Sequence, residues 1–285
     1  MPCVQGRLDV VATPIGNLED LTPRARAALA AADLVAAEDT RHTGRLLAAL
    51  GISRSMISLH DYNEQRRLSE LLAALRSGQI IALVSDAGTP LLSDPGFALV
   101  RAAAEAGIEV RAVPGVCALT AALSVAALPT DRFGFEGFLP ARARERRSAL
   151  ARLAHETRTL VFFEAPHRIV ATLSDLADSF GPERQAAIAR ELTKLHEHVY
   201  RGSLAQLIVA AAADPNIARG EITLLVAGAP SRDVKAGDRE LLMRTLELLL
   251  AELPPARAAA IAAQLSGASR REAYELALRL RGSAP

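Results

Sequence analysis

The chain has 285 residues, with 33 basic and 32 acidic side chains and a formal net charge of +1. Half of the residues are hydrophobic and 23% are charged, which excludes a disordered chain and leaves material for one large or two ordinary domains of roughly 100–200 residues. The balanced charge excludes a protein that coats nucleic acid nonspecifically, so any RNA or DNA partner has to meet a local basic patch. Lys194 and Lys235 are the only lysines, and the resulting arginine bias weakens any argument from arginine clusters. Cys3 and Cys117 are too few for a disulfide scaffold or a four-thiolate site, and no Cys/His spacing fits a metal. The apolar run before Thr13-Pro14 is too short for a signal-peptide core, and no stretch reaches the roughly 18–20 apolar residues of a membrane span. A soluble, cytoplasmic protein with no membrane partner is the expectation.

In chain order, residues 8–13 read as a strand. Thr22 caps a helix with Pro23 at its first position, running to about Ala32. Residues 34–37 form a strand, and 40–50 a helix stopped by Gly51. A strand at 55–59 and a helix at 64–77 stopped by Gly78 follow. Residues 80–85 are an unbroken apolar run, as a strand buried on both faces requires. A helix at 97–106, a strand at 109–113 and a helix at 117–127 complete the first half. Such alternation with short links predicts a parallel sheet covered by helices.

Leu128-Pro129-Thr130-Asp131 breaks the pattern and marks a boundary. Beyond it, strands are predicted at 132–138, 159–164, 186–192, 196–201 and 221–227, and helices at 144–154, 166–179 and 204–213. Two strands separated only by Thr193-Lys194-Leu195 predict a hairpin, hence a mixed sheet. A polar linker at 230–238 leads to helices at 239–253, 256–265 and 269–281, the last two joined by Ser266-Gly267-Ala268. The predicted organisation is an α/β domain with a parallel sheet at 1–129, a second α/β domain with a mixed sheet at 130–229, and a helical extension at 239–285.

Ligands of an open parallel sheet bind in loops at the carboxyl ends of its strands. Here those loops are Thr13-Pro14-Ile15-Gly16-Asn17, Glu38-Asp39-Thr40-Arg41-His42, His60-Asp61-Tyr62-Asn63-Glu64, Ser85-Asp86-Ala87-Gly88-Thr89-Pro90 with Ser93-Asp94-Pro95-Gly96, and Pro114-Gly115-Val116-Cys117. One Gly-Pro loop is an ordinary turn. Five along one edge of one sheet point to a ligand site. The first loop is not G-x-G-x-x-G, and no P-loop Gly-Lys-Ser/Thr occurs, so neither a dinucleotide-dependent hydride enzyme nor a P-loop ATPase is supported.

Five motifs carry a resemblance: ATPIGN at 12–17, AAEDTRHT at 36–43, SDAGTPLLSDPG at 85–96, FFEAPHR at 162–168 and ARELTK at 189–194. In this order and spacing the chain resembles the tetrapyrrole-methylase superfamily, and within it the ribosomal-RNA branch that methylates a cytidine 2′-hydroxyl of small-subunit (16S) rRNA. The tail ELPPARAAAIAAQLSGASRREAYELAL at 252–278 resembles that branch's C-terminal extension. The resemblance implies two α/β domains with S-adenosylmethionine in the cleft between them, in a homodimer acting on the assembled 30S subunit. Carried over residue by residue, it places Pro14, Gly88, Thr89, Pro90, Val116, Cys117 and Ala118 at the cofactor from the first domain. Phe163, Glu164, Ala189, Gly220 and Glu221 close over it from the second. Glycine and proline suit this task, because they let backbone groups approach a ligand without side-chain obstruction. Cys117 reads as a small packing residue at a helix start and not as a nucleophile, since methyl transfer from a sulfonium needs no covalent intermediate.

Methyl transfer to a weakly nucleophilic ribose hydroxyl depends on in-line positioning, and a general base adds roughly 10²–10⁴-fold. The candidate bases are Glu38, Asp39, Asp61, Asp86 and Glu164. Glu38 is the first choice because it ends the second predicted strand, whereas Asp39 reads as the cap of the helix that follows. For RNA, Arg142, Arg144, Arg146 and Arg147 form a cluster suited to phosphate contacts, with Arg41, His42 and Arg168 on facing loops. The same arginines also read as a solvated helix start. Arg270 and Arg271 open the last predicted helix and offer a second contact. Two other readings stand beside this one: methylation of a uroporphyrinogen- or precorrin-type tetrapyrrole, and a noncatalytic RNA-binding assembly factor.

Overall fold

Strand–helix alternation in the first half produces a parallel sheet in the computed structural model, which describes residues 6–230 and 234–282. Cys3, residues 231–233 of the expected linker and residues 283–285 lie outside the described residues. The strands are β1 (Arg7–Val11), β2 (Leu34–Ala37), β3 (Ser55–Ser58), β4 (Ile80–Val84) and β5 (Glu109–Val113), in the order β3-β2-β4-β1-β5 with every pair parallel. The helices are α1 (Pro23–Ala31), α2 (Thr40–Ala49), α3 (Glu64–Arg76), α4 (Phe97–Glu105) and α5 (Ala118–Val125). The caps sit where the sequence puts them. Thr22 accepts the Ala25 N–H in front of Pro23, and Asp39 accepts the Arg41 N–H at 2.8 Å. On one face of the sheet Leu71, Leu75 and Leu99 cover Leu8, Ile81 and Leu83. On the other, Leu29 and Leu47 cover Val11, Val35 and Val84.

The second sheet holds β6 (Phe133–Phe138), β7 (Thr159–Glu164), β8 (Gln185–Arg190), β9 (His198–Ser203) and β10 (Ile222–Val226), ordered β6-β7-β10-β8-β9. β6 pairs parallel to β7, and the other pairs are antiparallel, including the expected β8–β9 hairpin. Helices α6 (Ala143–Leu153), α7 (Ile169–Phe180) and α8 (Leu204–Ala213) cover one face, with Leu150, Leu173 and Leu207 in one cluster with Phe162, Ile188 and Leu224. The other face packs on α5, a helix of the first domain. Leu119, Ala122 and Leu123 meet Val161, Ala187, Ala189 and Leu225 there. Burying the two leucines alone contributes about 3–6 kcal/mol, enough to hold the two sheets as one body. Residues through Ala227 accordingly form one compact unit, and those from Gly228 a second.

The second unit comprises α9 (Val234–Leu250), α10 (Pro255–Ser266) and α11 (Arg270–Gly282) around Leu242, Leu246, Ala258, Ala262, Ala273 and Ala277. Helix α9 begins at Val234, five residues before the expected start, so the later part of the expected linker is helical. A 3₁₀ turn at Pro166–Arg168 precedes α7, where one continuous helix was expected. No helix among the described residues is long and apolar enough to cross a membrane.

One expectation fails within α6. Arg146 is only 5% exposed, and its guanidinium meets Asp175 of α7 at 2.6 Å. It lies one turn from buried Leu150 on the inward face, so it locks α6 to α7 and does not reach RNA. Removing Arg146 leaves the buried Asp175 carboxylate with only the longer, exposed contact to Arg147 at 3.6 Å. Arg146→Ala is therefore expected to cost about 3–5 kcal/mol in urea unfolding, while Arg142→Ala on the exposed side of the same helix start stays within about 0.5 kcal/mol.

Candidate functional site

Loops from both sheets enclose a cavity of about 360 Å³. Its first-domain wall comes from the carboxyl ends of β1, β4 and β5, the edge singled out by sequence. Its second-domain wall comes from the ends of β7 and β8 and the start of β10. Hydrogen bonds tie the first-domain loops together. Thr13 and Gly88 exchange two backbone bonds of 2.8 and 2.9 Å, and the Thr89 hydroxyl donates to the Val116 carbonyl at 3.2 Å. Gly88 has φ +82°, and a Cβ there would press on Ile15 Cγ2 at 3.2 Å. A side chain at this position is strained by backbone and neighbour alike.

Beyond Gly88 the loop stays tightly curled. Leu91 and Ser93 adopt left-handed conformations with φ of 75° and 70°, each costing about 1–3 kcal/mol. The far end of the loop is anchored from another element. Glu64 at the start of α3 accepts the N–H groups of Ala98 and Leu99 at 2.8 and 3.2 Å, capping α4 where Gly96 has no side chain to do so. The constrained loop delivers Asp94 to the cavity wall. Burial pushes the Asp94 carboxyl up to about 6, and the nearby charges of Glu38, Asp86 and Asp61 act in the same direction against a hydrogen bond from Ser85. Asp94 was absent from the carboxylates chosen by sequence. Only its place in the loop after the fourth strand could have flagged it.

Those chosen carboxylates divide by their partners. Glu38 Oε2 accepts the Asp86 N–H at 3.2 Å, and Asp86 Oδ1 accepts the Asp39 N–H at 3.0 Å, so the pair cross-ties the loops after β2 and β4. Burial, with Asp86, Asp61 and Asp39 nearby, raises Glu38 above its ordinary range despite the Asp86 N–H. Asp39 is held well below its range by the Arg41 side chain and N–H, as a helix cap should be. Glu38, Asp39, Asp61 and Asp86 all stand outside the cavity lining. Glu164 has a fully buried side chain that accepts the Thr172 hydroxyl at 2.6 Å and the Ala165 N–H at 2.8 Å and pairs with Arg168 at 3.2 Å. That saturation suits it to bracing the strand end and not to taking a proton.

Of the residues expected at a cofactor, Gly88, Thr89, Cys117 and Ala118 line the cavity from the first domain, and Phe163, Ala189, Gly220 and Glu221 from the second. Glu164 also borders it, whereas Pro14, Pro90 and Val116 sit just behind the lining residues Ile15, Thr89 and Cys117. Among the described residues no arginine, lysine or histidine lines the wall, while Asp94, Glu164 and Glu221 do. The cavity therefore suits a ligand of positive or neutral charge and opposes a polyphosphate. Among the expected RNA contacts, Arg168 turns inward and donates to the Leu139 and Pro140 carbonyls at 2.6 and 3.1 Å, which removes it from that list. Arg41 and Arg142 are 86% and 84% exposed at the side chain, each in a surface ion pair, with Asp39 and Glu145. His42 and Arg144 are exposed, and Arg147 is exposed at 3.6 Å from Asp175.

Comparison with known proteins matches this architecture. A sequence model of the family described as Tetrapyrrole (Corrin/Porphyrin) Methylases covers residues 7–208, and one described as the RsmI C-terminal HTH domain covers 235–281. A Pseudomonas aeruginosa protein named ribosomal RNA small subunit methyltransferase I is 51% identical over 97% of this chain and 98% of its own length. The Escherichia coli O157:H7 protein of the same name is 49% identical over 98% of this chain and 96% of its own. Among solved structures, the methyltransferase CobJ superposes with a TM-score of 0.58 at 22% identity, over 79% of this chain and 94% of its own. Uroporphyrin-III C-methyltransferase from Thermus thermophilus, complexed with S-adenosyl homocysteine, superposes with a TM-score of 0.54 at 20% identity, over 78% of this chain and 97% of its own. These two structures share the fold. The full-length relatives carry more, and on them the chain belongs to the tetrapyrrole methylase family and, within it, to the ribosomal RNA small subunit methyltransferase I group.

Proposed function

We propose that this chain is an S-adenosylmethionine-dependent methyltransferase that places a methyl on the ribose 2′-hydroxyl of a cytidine in small-subunit (16S) rRNA. The observation that carries this reading is the near-complete match, at 51% identity over 97% of the chain, to a relative named for methylation of that RNA. The cavity fits the cofactor. Its 360 Å³ falls in the range of small-molecule sites, Gly88 leaves the wall open, Phe163 offers an aromatic surface, and the lining is free of cations. A sulfonium ligand is favoured by the facing carboxylates.

Bound there, S-adenosylmethionine would supply an electrophilic methyl on its sulfonium. Gly88, Thr89, Cys117, Ala118 and the backbone of Gly220 would hold it, and Leu92, Phe138 and Phe163 would exclude water. Asp94 replaces Glu38 as the proposed proton acceptor for the ribose hydroxyl, because it is the carboxylate at the cavity wall that lacks a cationic partner. Glu38 and Asp86 act through it, keeping its affinity for a proton high. Arg142, Arg144 and Arg147 follow Phe138, which lies at the cavity, so phosphates of the bound strand have donors beside the site. Arg41 and His42 extend the basic edge. The substrate in this reading is the assembled 30S subunit and the enzyme a homodimer, which light scattering tests.

Labelled S-adenosylmethionine incubated with small subunits from a strain lacking the activity tests the reading. Label mapped by nuclease digestion to one cytidine ribose supports it. Label on a base, or only on a uroporphyrinogen-type acceptor, overturns it.

Gly88→Val is expected to abolish S-adenosylmethionine binding in calorimetric titration while the chain stays folded, since a branched side chain enters the cavity wall. Asp94 sets the expected pH dependence. Its carboxyl holds a proton below about 6 and releases it above, so the accepting form appears only as pH rises through about 6. The kcat/KM profile should therefore fall about tenfold per pH unit below that point. Asp94→Asn should lower turnover roughly 10²-fold or more and remove this acid limb.

A further inference from the structure

The ELTK segment, Glu191-Leu192-Thr193-Lys194, belongs to a motif that the site has so far left without a task. It forms the turn between β8 and β9. Glu191 and Thr193 are both left-handed, with φ of 52° and 65°, although neither is glycine. Residues in this region persist only where surrounding bonds hold them, and such positions gather at ligand clamps. The holding bonds are present here. Glu191 N–H donates to the Glu221 carbonyl at 2.9 Å, Glu221 N–H donates to Glu191 Oε1 at 2.9 Å, and Thr193 N–H donates to Glu197 Oε2 at 2.6 Å.

Lys194 reaches out of this turn and across the domain boundary. Its ammonium sits between Glu191 Oε1 at 2.9 Å and Glu221 Oε2 at 3.2 Å. Its stem lies over Gly16 of the first domain, in the loop after β1. A Cβ at Gly16 would overlap Lys194 Cγ and come within 2.7 Å of Cε. A second glycine makes the matching allowance, because a Cβ at Gly220 would overlap the Glu191 carboxyl group and come within 2.5 Å of Cγ. The network thus fills two notches, one in each domain. The residues next to it, Ile15, Leu192, Gly220 and Glu221, line one end of the cavity. The lysine stem lies over the glycine, and its compact ammonium, with three rotatable donors, meets both carboxylates.

We infer that Lys194 is a positioning residue for the cofactor, a strap that crosses Gly16, clasps Glu191 and Glu221, and fixes the Ile15 loop against the second-domain wall of the cavity. The inference rests on the cofactor reading above. Burial draws the Lys194 ammonium toward deprotonation, but Glu191 and Glu221 outweigh it and keep it charged.

A double-mutant cycle on S-adenosylmethionine affinity, read by calorimetry without RNA, tests this role. G16A and K194A are each expected to raise Kd about tenfold, and the G16A/K194A double variant to lose clearly less than the sum of the two, since the closest contacts of the added methyl are with the missing stem. The KM for S-adenosylmethionine should rise with Kd while kcat falls by less, a split that general destabilisation does not give. K194M keeps the stem and removes the charge. It should remain sensitive to G16A, and it serves the cycle if K194A folds poorly by its melting temperature. Wild-type affinity in K194A, or additive losses from G16A and K194A, would overturn the strap alone. A wild-type protein that does not bind S-adenosylmethionine would overturn the cofactor reading and the strap with it.

Discussion

The site depends on one packing constraint: a face of the second sheet that is covered by a helix of the first domain. Val161, Ala187, Ala189 and Leu225 are buried against Leu119, Ala122 and Leu123 of α5. Because α5 starts at Ala118, directly after the loop that ends β5, the helix that joins the sheets also sets one side of the cavity. Cys117 and Ala118 are at once its first turn and part of the lining. Small residues on both sides of the contact bring the strand ends near the first-domain loops. The remaining space is ligand-sized, and Gly88 keeps it from being filled.

Charge is apportioned on a simple rule. Carboxylates that have cationic partners hold the structure, and of the three at the cavity wall Asp94 has none among the described residues, whereas Glu164 meets Arg168 and Glu221 meets Lys194. Asp175 meets Arg146, Glu164 meets Arg168, and Asp39 meets Arg41. Asp94 instead is raised first by burial, and Glu38, Asp86 and Asp61 add their repulsion. Two strained residues, Leu91 and Ser93, keep it in that position, and Glu64 fixes the end of the loop from α3. Local strain and an unfavourable charge environment at one loop are the marks of a site kept for chemistry and not for stability.

Much of this was legible in the sequence because it is encoded locally. Thr22-Pro23 and Asp39 announce their helix starts, and the apolar run at β4 announces a strand buried on both faces. The glycine-bearing loops of β1, β4 and β5 announced the edge where the cavity lies. What escaped depends on contacts far apart along the chain. Arg146 resembles its exposed neighbours in composition, and only its spacing of four from Leu150 hints that it faces inward. Arg168 was read as an RNA contact, but it turns inward to Glu164 and to the Leu139 and Pro140 carbonyls; Glu164, read as a cofactor residue and a candidate base, borders the cavity with its side chain held at the strand end. Asp94 gains its high proton affinity first from burial and then from Glu38 and Asp61 on other loops and Asp86 on its own, a combination that no local pattern reveals. The early start of α9 escaped because its first turns are polar.

A crystal structure of the chain with S-adenosyl homocysteine is the most direct test of the account. The ligand is expected folded into the cavity between Gly88 and Phe163, its sulfur facing Asp94, with no basic side chain in contact. A ligand bound elsewhere, or a sulfur turned away from Asp94, would contradict it.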